Sequence, residues 1–268
     1  MGTETPASLA TSRTVVAAQP RATNSLRAAS AISARVLCAC ARRRSESYRR
    51  GVGRASMIGL DRGIGFVSTA VLVNLAYVRG RLPLPTSGQG LEAVTGAFAV
   101  VGAALRRPSV LAPVSWLFTT VYAAGLLSVL WRGGSGVGAW ALVGFAGVLM
   151  QNATFAGVEA LRFGMASAAT HDRGSVAGPW GLSNVLFGFN QVFLAIALLG
   201  FTLAGAGVGL IPGWHAWLGY GSAALLFLAS SVSPYNAGGA NRAALVGLVG
   251  WLGWAAWIVA YSVVLLRL

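Results

Sequence analysis

Apolar runs of about 20 residues recur along the second part of the chain, separated by short stretches rich in Gly, Pro and polar residues. An α-helix rises 1.5 Å per residue, so about 20 apolar residues cross a hydrocarbon core ~30 Å thick. The run 213–233 reaches this length, and two Trp, a residue type enriched at membrane interfaces, lie near its start. Four further runs reach the required length: 109–131, 136–158, 180–203 and 243–266. The pattern predicts a bundle of membrane-spanning helices.

Two shorter apolar runs leave the number of spans open. The run 58–78 crosses if its first turn, which carries Asp61 and Arg62, lies at the membrane boundary. The Ala/Gly-rich run 91–105 opens with Glu92 and fits a thin span, a re-entrant helix or an interfacial helix. The predicted fold is therefore an all-α polytopic transmembrane helical bundle of six or seven spans within residues 57–268.

The composition excludes a soluble enzyme. Of the 268 residues, 56% are hydrophobic and only 10% are charged, whereas soluble domains carry about 25% charged residues. Charge this sparse cannot cover the surface of a soluble globule of this size. The sequence also has no nucleotide-binding loop, no paired-carboxylate motif and no metal-ligand motif, so neither a catalytic residue nor a cofactor is predicted.

Residues 1–56 form a basic tail of different character. They hold ten of the 20 Arg and only two acidic residues, and they are rich in Ala and Ser, so we expect a disordered segment. Three interpretations stay open: translation starting at Met57, a tail that binds anionic lipid, and an organelle transit peptide. Nucleic acid is a less favoured partner. Cys38 and Cys40 form a lone C-x-C pair, which supplies too few ligands for zinc.

The distribution of Arg predicts the orientation in the membrane, because cytoplasmic loops carry an excess of positive charge. Seven spans put the N-terminus in the cytoplasm. Six spans put it outside and gather four Arg of 79–107 into one cytoplasmic loop. Both counts place the loop 159–177 in the cytoplasm and the loop 204–212 outside. Both also predict an external C-terminus.

Polar side chains concentrate on two of the predicted spans. Asn152 and Glu159 are seven residues apart and share a helix face, and Arg162 is within reach of Glu159. The next span repeats the spacing, with a set of three amides: Asn184, Asn190 and Gln191. We expect the two helices to be antiparallel neighbours with facing stripes. These six residues form either a pocket for a solute, an ion or a proton, with Glu159 titrating, or an interfacial ion pair with amides that join helices.

Three other features bear on a site. Ser115, Thr119 and Tyr122 form a hydroxyl stripe that is typical of helix packing, and three Trp lie near the middle of the last span. The two histidines, His171 and His215, fall at opposite membrane faces, which argues against a shared metal or haem site. Trp214–His215 at a helix start is interpreted as an interfacial anchor.

The segments LRFGMAS at 161–167, WGLSNVLFGFN at 180–190 and WHAWLGY at 214–220 resemble uncharacterised multi-pass membrane proteins of GC-rich bacteria. The resemblance implies a helical bundle in a bacterial inner membrane and implies no activity. The leading hypothesis is an integral membrane protein of unassigned activity, with the lipid bilayer as its partner. The alternatives are a small-solute or proton transporter, with a polar site between 136–158 and 180–203, and a lipid-acting enzyme using His171, Asp172 and Glu159.

Overall fold

The computed structural model describes residues 63–85, 87–101, 105, 109–237 and 244–266, and the tail 1–56 lies outside them. Every regular element in these residues is helical, which confirms the all-α fold. The described helices belong to one compact unit. They are α1 (Gly63–Arg79), α2 (Leu91–Val101), α3 (Ala112–Leu130), α4 (Ser135–His171), α5 (Ala177–Gly207), α6 (Gly213–Ser231) and α7 (Ala244–Leu266).

Four helical segments of the described chain are long and apolar enough to cross a membrane: Ala112–Gly133, Ser135–His171, Arg173–Gly207 and Ala244–Leu265. They correspond to the four long apolar runs of the sequence. Helix α6 has 19 residues, but its first two turns contain His, Trp and Gly, which lower its mean hydropathy. Helix α2 has only 11 residues and is about 16 Å long, so it is too short to cross a bilayer.

Helix α4 is much longer than the predicted span 136–158. Its 37 residues extend over about 55 Å without a Pro, and the helix ends only at His171. The last two turns are rich in Ala, the residue that favours helix most strongly. Asp172 then adopts an extended backbone, and its carboxylate accepts a hydrogen bond from the Gly174 N–H at 3.0 Å. The Asp172 side chain therefore caps the turn that follows α4, and α4 ends immediately before it.

Helices α4 and α5 form the most extensive interhelical contact, and glycine makes it close. A Cβ on Gly147 would stand 2.6 Å from the Ala197 nitrogen, and a Cβ on Gly200 would overlap the backbone at Gly144. Residue numbers rise along one helix as they fall along the other, so the pair is antiparallel, as expected. Because these glycines carry no side chain, the backbones of α4 and α5 touch directly.

The buried residues form two hydrophobic cores. The larger core lies within the bundle and draws on α1 and on α3 to α7. The second core joins the end of α1, helix α2 and the second half of α4, and we call it the end core. Its members include Tyr77, Leu82, Val94, Phe98, Met165, Ala169, Val176 and Trp180. The part of α4 beyond the predicted span is thus packed rather than free.

The end of α1 is a turn that directs the chain into the end core. The Leu82 N–H donates to the Tyr77 carbonyl at 3.1 Å, and the Arg81 N–H donates to the Val78 carbonyl at 3.1 Å. Arg81 has φ +51°, in the left-handed region where glycine is usual. This bonding pattern is a Schellman motif, and its hydrophobic contact joins Tyr77 to Leu82.

The close contact of α4 and α5 predicts opposite effects for two glycines of one helix. Gly147→Ala should lower the free energy of unfolding by roughly 1–3 kcal/mol, since its Cβ meets backbone that cannot yield. Gly164→Ala is the matched control, because a Cβ there meets nothing within 4 Å and alanine favours helix. Denaturant titration of the purified protein measures both. Equal stability of the two variants would contradict the described packing.

Candidate functional site

Glu159 lies at the centre of a buried polar network that joins three parts of the chain. Its Oε1 accepts hydrogen bonds from the hydroxyls of Tyr77, near the end of α1, and of Ser109, which precedes α3. Its Oε2 accepts from Arg162 Nη1 at 2.8 Å. Glu159 and Arg162 are each only 4% exposed. The carboxylate therefore fastens α1 and the approach to α3 onto α4.

Arg162 balances this charge and has a second partner. Its guanidinium carbon lies 4.6 Å from the centroid of the Tyr77 ring, in a cation–π arrangement. Tyr77 thus touches both members of the ion pair, one through its hydroxyl and the other through its ring. Because both carboxylate oxygens accept hydrogen bonds and the counter-charge lies one turn away, the described part of the network has the character of a structural ion pair.

Asn152 does not face α5. Its Oδ1 accepts from Thr119 Oγ1 at 3.1 Å, and its Nδ2 donates to Thr120 Oγ1 at 3.0 Å and to the Trp116 carbonyl at 3.3 Å. All three partners belong to α3. Asn152 therefore joins α3 to α4, which is the helix-joining role that amides take in apolar surroundings.

One α5 amide, Gln191, also has a different neighbour from the one expected. Gln191 lies against α7, where a Cβ on Gly247 would stand 2.6 Å from its Nε2. Asn184 and Asn190 are both buried on α5. The expected single interface of facing stripes is wrong for Asn152 and Gln191, because a seven-residue spacing fixes a shared face of one helix but does not say which neighbour covers it.

A small cavity does lie between α4 and α5, at their junction with α3 and α7. Its volume is about 20 Å³, enough for one or two water molecules. The polar groups in its wall are Gln151, Thr119 and Tyr122, and its apolar wall includes Trp254 and Trp257. The predicted hydroxyl stripe and two central Trp thus meet at one place. None of the six predicted site residues lines this cavity.

The two histidines have opposite environments. His171 is exposed at the end of α4, where its Nδ1 lies 2.9 Å from the Ser167 carbonyl. His215 is 0% exposed, whereas its neighbours Trp214 and Trp217 are 62% and 75% exposed. The interpretation of His215 as an interfacial anchor is wrong, although the exposure of the two Trp fits that role. Helical periodicity turns His215 inward, away from the face that its neighbours share.

The groups suggested for an enzyme do not converge. Glu159 and His171 lie on the same helix, twelve residues or about 18 Å apart. Asp172 accepts its hydrogen bond from a backbone N–H two residues on. The carboxylate of Glu159 is committed to the buried network described above. These three side chains form no catalytic pair.

Comparison with protein-family models, with curated proteins and with solved structures gives no match for this chain. Function must therefore be inferred from the arrangement of its own side chains. Two groups stand out that the sequence did not single out as sites: the partners of Glu159, and the buried surroundings of His215.

The network around Glu159 predicts strongly non-additive effects of substitution. Arg162→Met should lower stability by roughly 3–5 kcal/mol, because it leaves a buried carboxylate without its counter-ion. Glu159→Leu should have a comparable effect. The double variant should be more stable than either single variant, since it removes both charges. Tyr77→Phe, which keeps the ring over Arg162, should cost only about 1–2 kcal/mol.

Denaturant titration of the four variants provides the measurement. If the double variant lost the full sum of the two single losses, Glu159 and Arg162 would not form an energetic unit.

Proposed function

We propose that the chain is an integral membrane protein that crosses the bilayer six times, through α1 and α3 to α7. The observation that carries this count is the shared contact of Tyr77 and Ser109 with Glu159. The end of α1 and the approach to α3 therefore lie at one level of the bundle. The intervening chain leaves and returns on one side.

The packing of α2 supports the same count. Val94 and Phe98 of α2 belong to the end core with Met165 and Ala169, which come after Glu159 on α4. Helix α2 therefore packs against the part of α4 beyond the predicted span. At 17 residues, α1 is at the lower limit for a crossing helix. We propose that α2 lies on the membrane surface as a cap over the bundle.

The charges favour a cytoplasmic position for this cap. With six spans, the segments that follow α1, α4 and α6, together with α4 itself, carry seven of the ten Arg of residues 57–268: Arg79, Arg81, Arg106, Arg107, Arg162, Arg173 and Arg242. The other three, Arg62, Arg132 and Arg267, adjoin in sequence the helix ends on the opposite side. Under the positive-inside rule, the C-terminus is external. The resemblance of the C-terminal half favours a bacterial inner membrane.

Cysteine labelling distinguishes six spans from seven. Ser87, Ser175 and Gly207 are exposed, and each can be replaced singly by Cys after Cys38 and Cys40 are changed to Ser. An impermeant thiol reagent should reach positions 87 and 175 from the cytoplasmic side and position 207 from outside. Labelling of position 87 from outside would indicate seven spans instead.

We also propose that this membrane protein binds and passes a small uncharged solute. The supporting observation is the cavity among α3, α4, α5 and α7, whose polar groups are an amide and two hydroxyls. A charged solute would find no counter-charge there, because no charged side chain is among the described residues that line the cavity. A volume of about 20 Å³ suits water itself, and a larger solute would require the helices to separate.

Water flux tests this proposal directly. Proteoliposomes should shrink faster than protein-free liposomes after a hyperosmotic shock with sucrose. Gln151→Leu should lower the protein-dependent rate by about tenfold, the factor that corresponds to one lost hydrogen bond of ~1.4 kcal/mol. Thr154→Val is the matched control on the same helix, since the Thr154 hydroxyl donates to the Met150 carbonyl and Thr154 is not among the described residues of the cavity wall. Wild-type vesicles that shrink no faster than protein-free ones would refute the proposal.

A further inference from the structure

His215 is held in one tautomer inside the bundle. Its Nε2 lies 3.1 Å from the carbonyl oxygen of Trp257, and a carbonyl can only accept, so Nε2 carries the hydrogen. In the neutral ring Nδ1 is then an acceptor. That atom is buried and has no hydrogen-bond partner among the described residues.

Three further polar groups, beside His215 or beside its partner Trp257, share this condition. They are the indole N–H of Trp257 and the hydroxyls of Thr202 and Tyr261, all buried and without a partner in the described part of the chain. The ring centroids of Trp257 and Tyr261 are each 5.4 Å from that of His215. Helices α5, α6 and α7 each contribute to this set, which we call the histidine cluster.

Two glycines bring the groups together. Trp257 Nε1 lies 2.8 Å from the position that a Cβ on Gly219 would take, and Thr202 Oγ1 crowds the same point. The Tyr261 hydroxyl lies 2.5 Å from the corresponding position at Gly205, one turn from Thr202 along α5. The polar atoms therefore approach the α5 and α6 backbones where side chains are absent.

The chemistry of the histidine cluster defines what it can bind. The indole N–H is only a donor, the neutral imidazole Nδ1 is only an acceptor, and each hydroxyl can be either. A molecule that only accepts would leave Nδ1 unpaired, and one that only donates would leave the indole unpaired. A small neutral molecule that does both satisfies the whole set, and water does so with three or four hydrogen bonds.

We infer that the histidine cluster is a binding site for one small neutral molecule with both a donor and an acceptor, water in the resting protein. Trp257 also forms part of the wall of the α3–α4–α5–α7 cavity. The cluster is therefore the second of two polar positions, at the end of the bundle opposite Glu159. Its place on a solute route rests on the proposed function, whereas the site itself does not.

Nuclear magnetic resonance of the full chain in nanodiscs tests the site. Indole ¹⁵N labelling gives one signal for each of the nine Trp, and Trp257→Phe assigns the relevant one. Magnetisation should pass from water to the Trp257 N–H, and Thr202→Val should reduce the transfer severalfold. Tyr261→Phe is a second conservative variant with the same expected result. Thr154→Val, whose hydroxyl bonds within its own helix, should leave the transfer unchanged.

Two results would overturn the inference. One is the absence of water transfer to Trp257 in the wild-type protein; a Thr202→Val change in the indole shift would then indicate a direct Trp257–Thr202 bond. The other is a transfer that neither Thr202→Val nor Tyr261→Phe alters.

Water flux then tests the place of the cluster on the route. If wild-type proteoliposomes conduct water, Thr202→Val and Tyr261→Phe should each lower the rate by about tenfold. An unchanged rate would remove the cluster from the route. Wild-type vesicles that do not conduct water would refute the proposed function, and the resonance experiment would still decide the site.

Discussion

The burial of one carboxylate constrains much of this fold. An ionised Glu159 removed from water must receive hydrogen bonds and a counter-charge, or its burial costs several kcal/mol. Arg162 supplies the charge from the same helix, but the hydroxyls come from Tyr77 and Ser109, which are distant in sequence. Satisfying Glu159 therefore fixes where α1 ends and where the approach to α3 begins. The end core then fills the space around that fixed point.

The remaining buried polar groups follow a different rule. Asn152 takes all its partners from α3, and Gln191 packs against a glycine of α7, so these amides join particular pairs of helices. The cavity wall carries an amide and two hydroxyls, and the histidine cluster contains hydroxyl, indole and imidazole groups that have no partner among the described residues. One end of the bundle is thus held by paired charges, while the opposite end keeps uncharged groups with unused hydrogen-bonding capacity.

The apolar runs predict most of the helices correctly, because run length and bilayer thickness are directly related. They do not predict that α4 continues to His171, since that depends on burial of Glu159 and Arg162 by residues elsewhere in the chain. The inward position of His215 could have been predicted from the helical period relative to Trp214 and Trp217, because successive residues on a helix point about 100° apart. The partners of Glu159 could not, because a Tyr near the end of an apolar run is equally typical of an interface.

The unbroken length of α4 has a mechanical consequence. One helix runs from the end of the bundle opposite Glu159, through the cavity wall at Gln151, into the end core that contains α2. It is α-helical throughout and contains no Pro, so we expect it to tilt or rotate largely as one body. A push against the end core would therefore turn the wall of the cavity by the same angle. Helix α4 therefore couples the end core mechanically to the polar cavity inside the bundle.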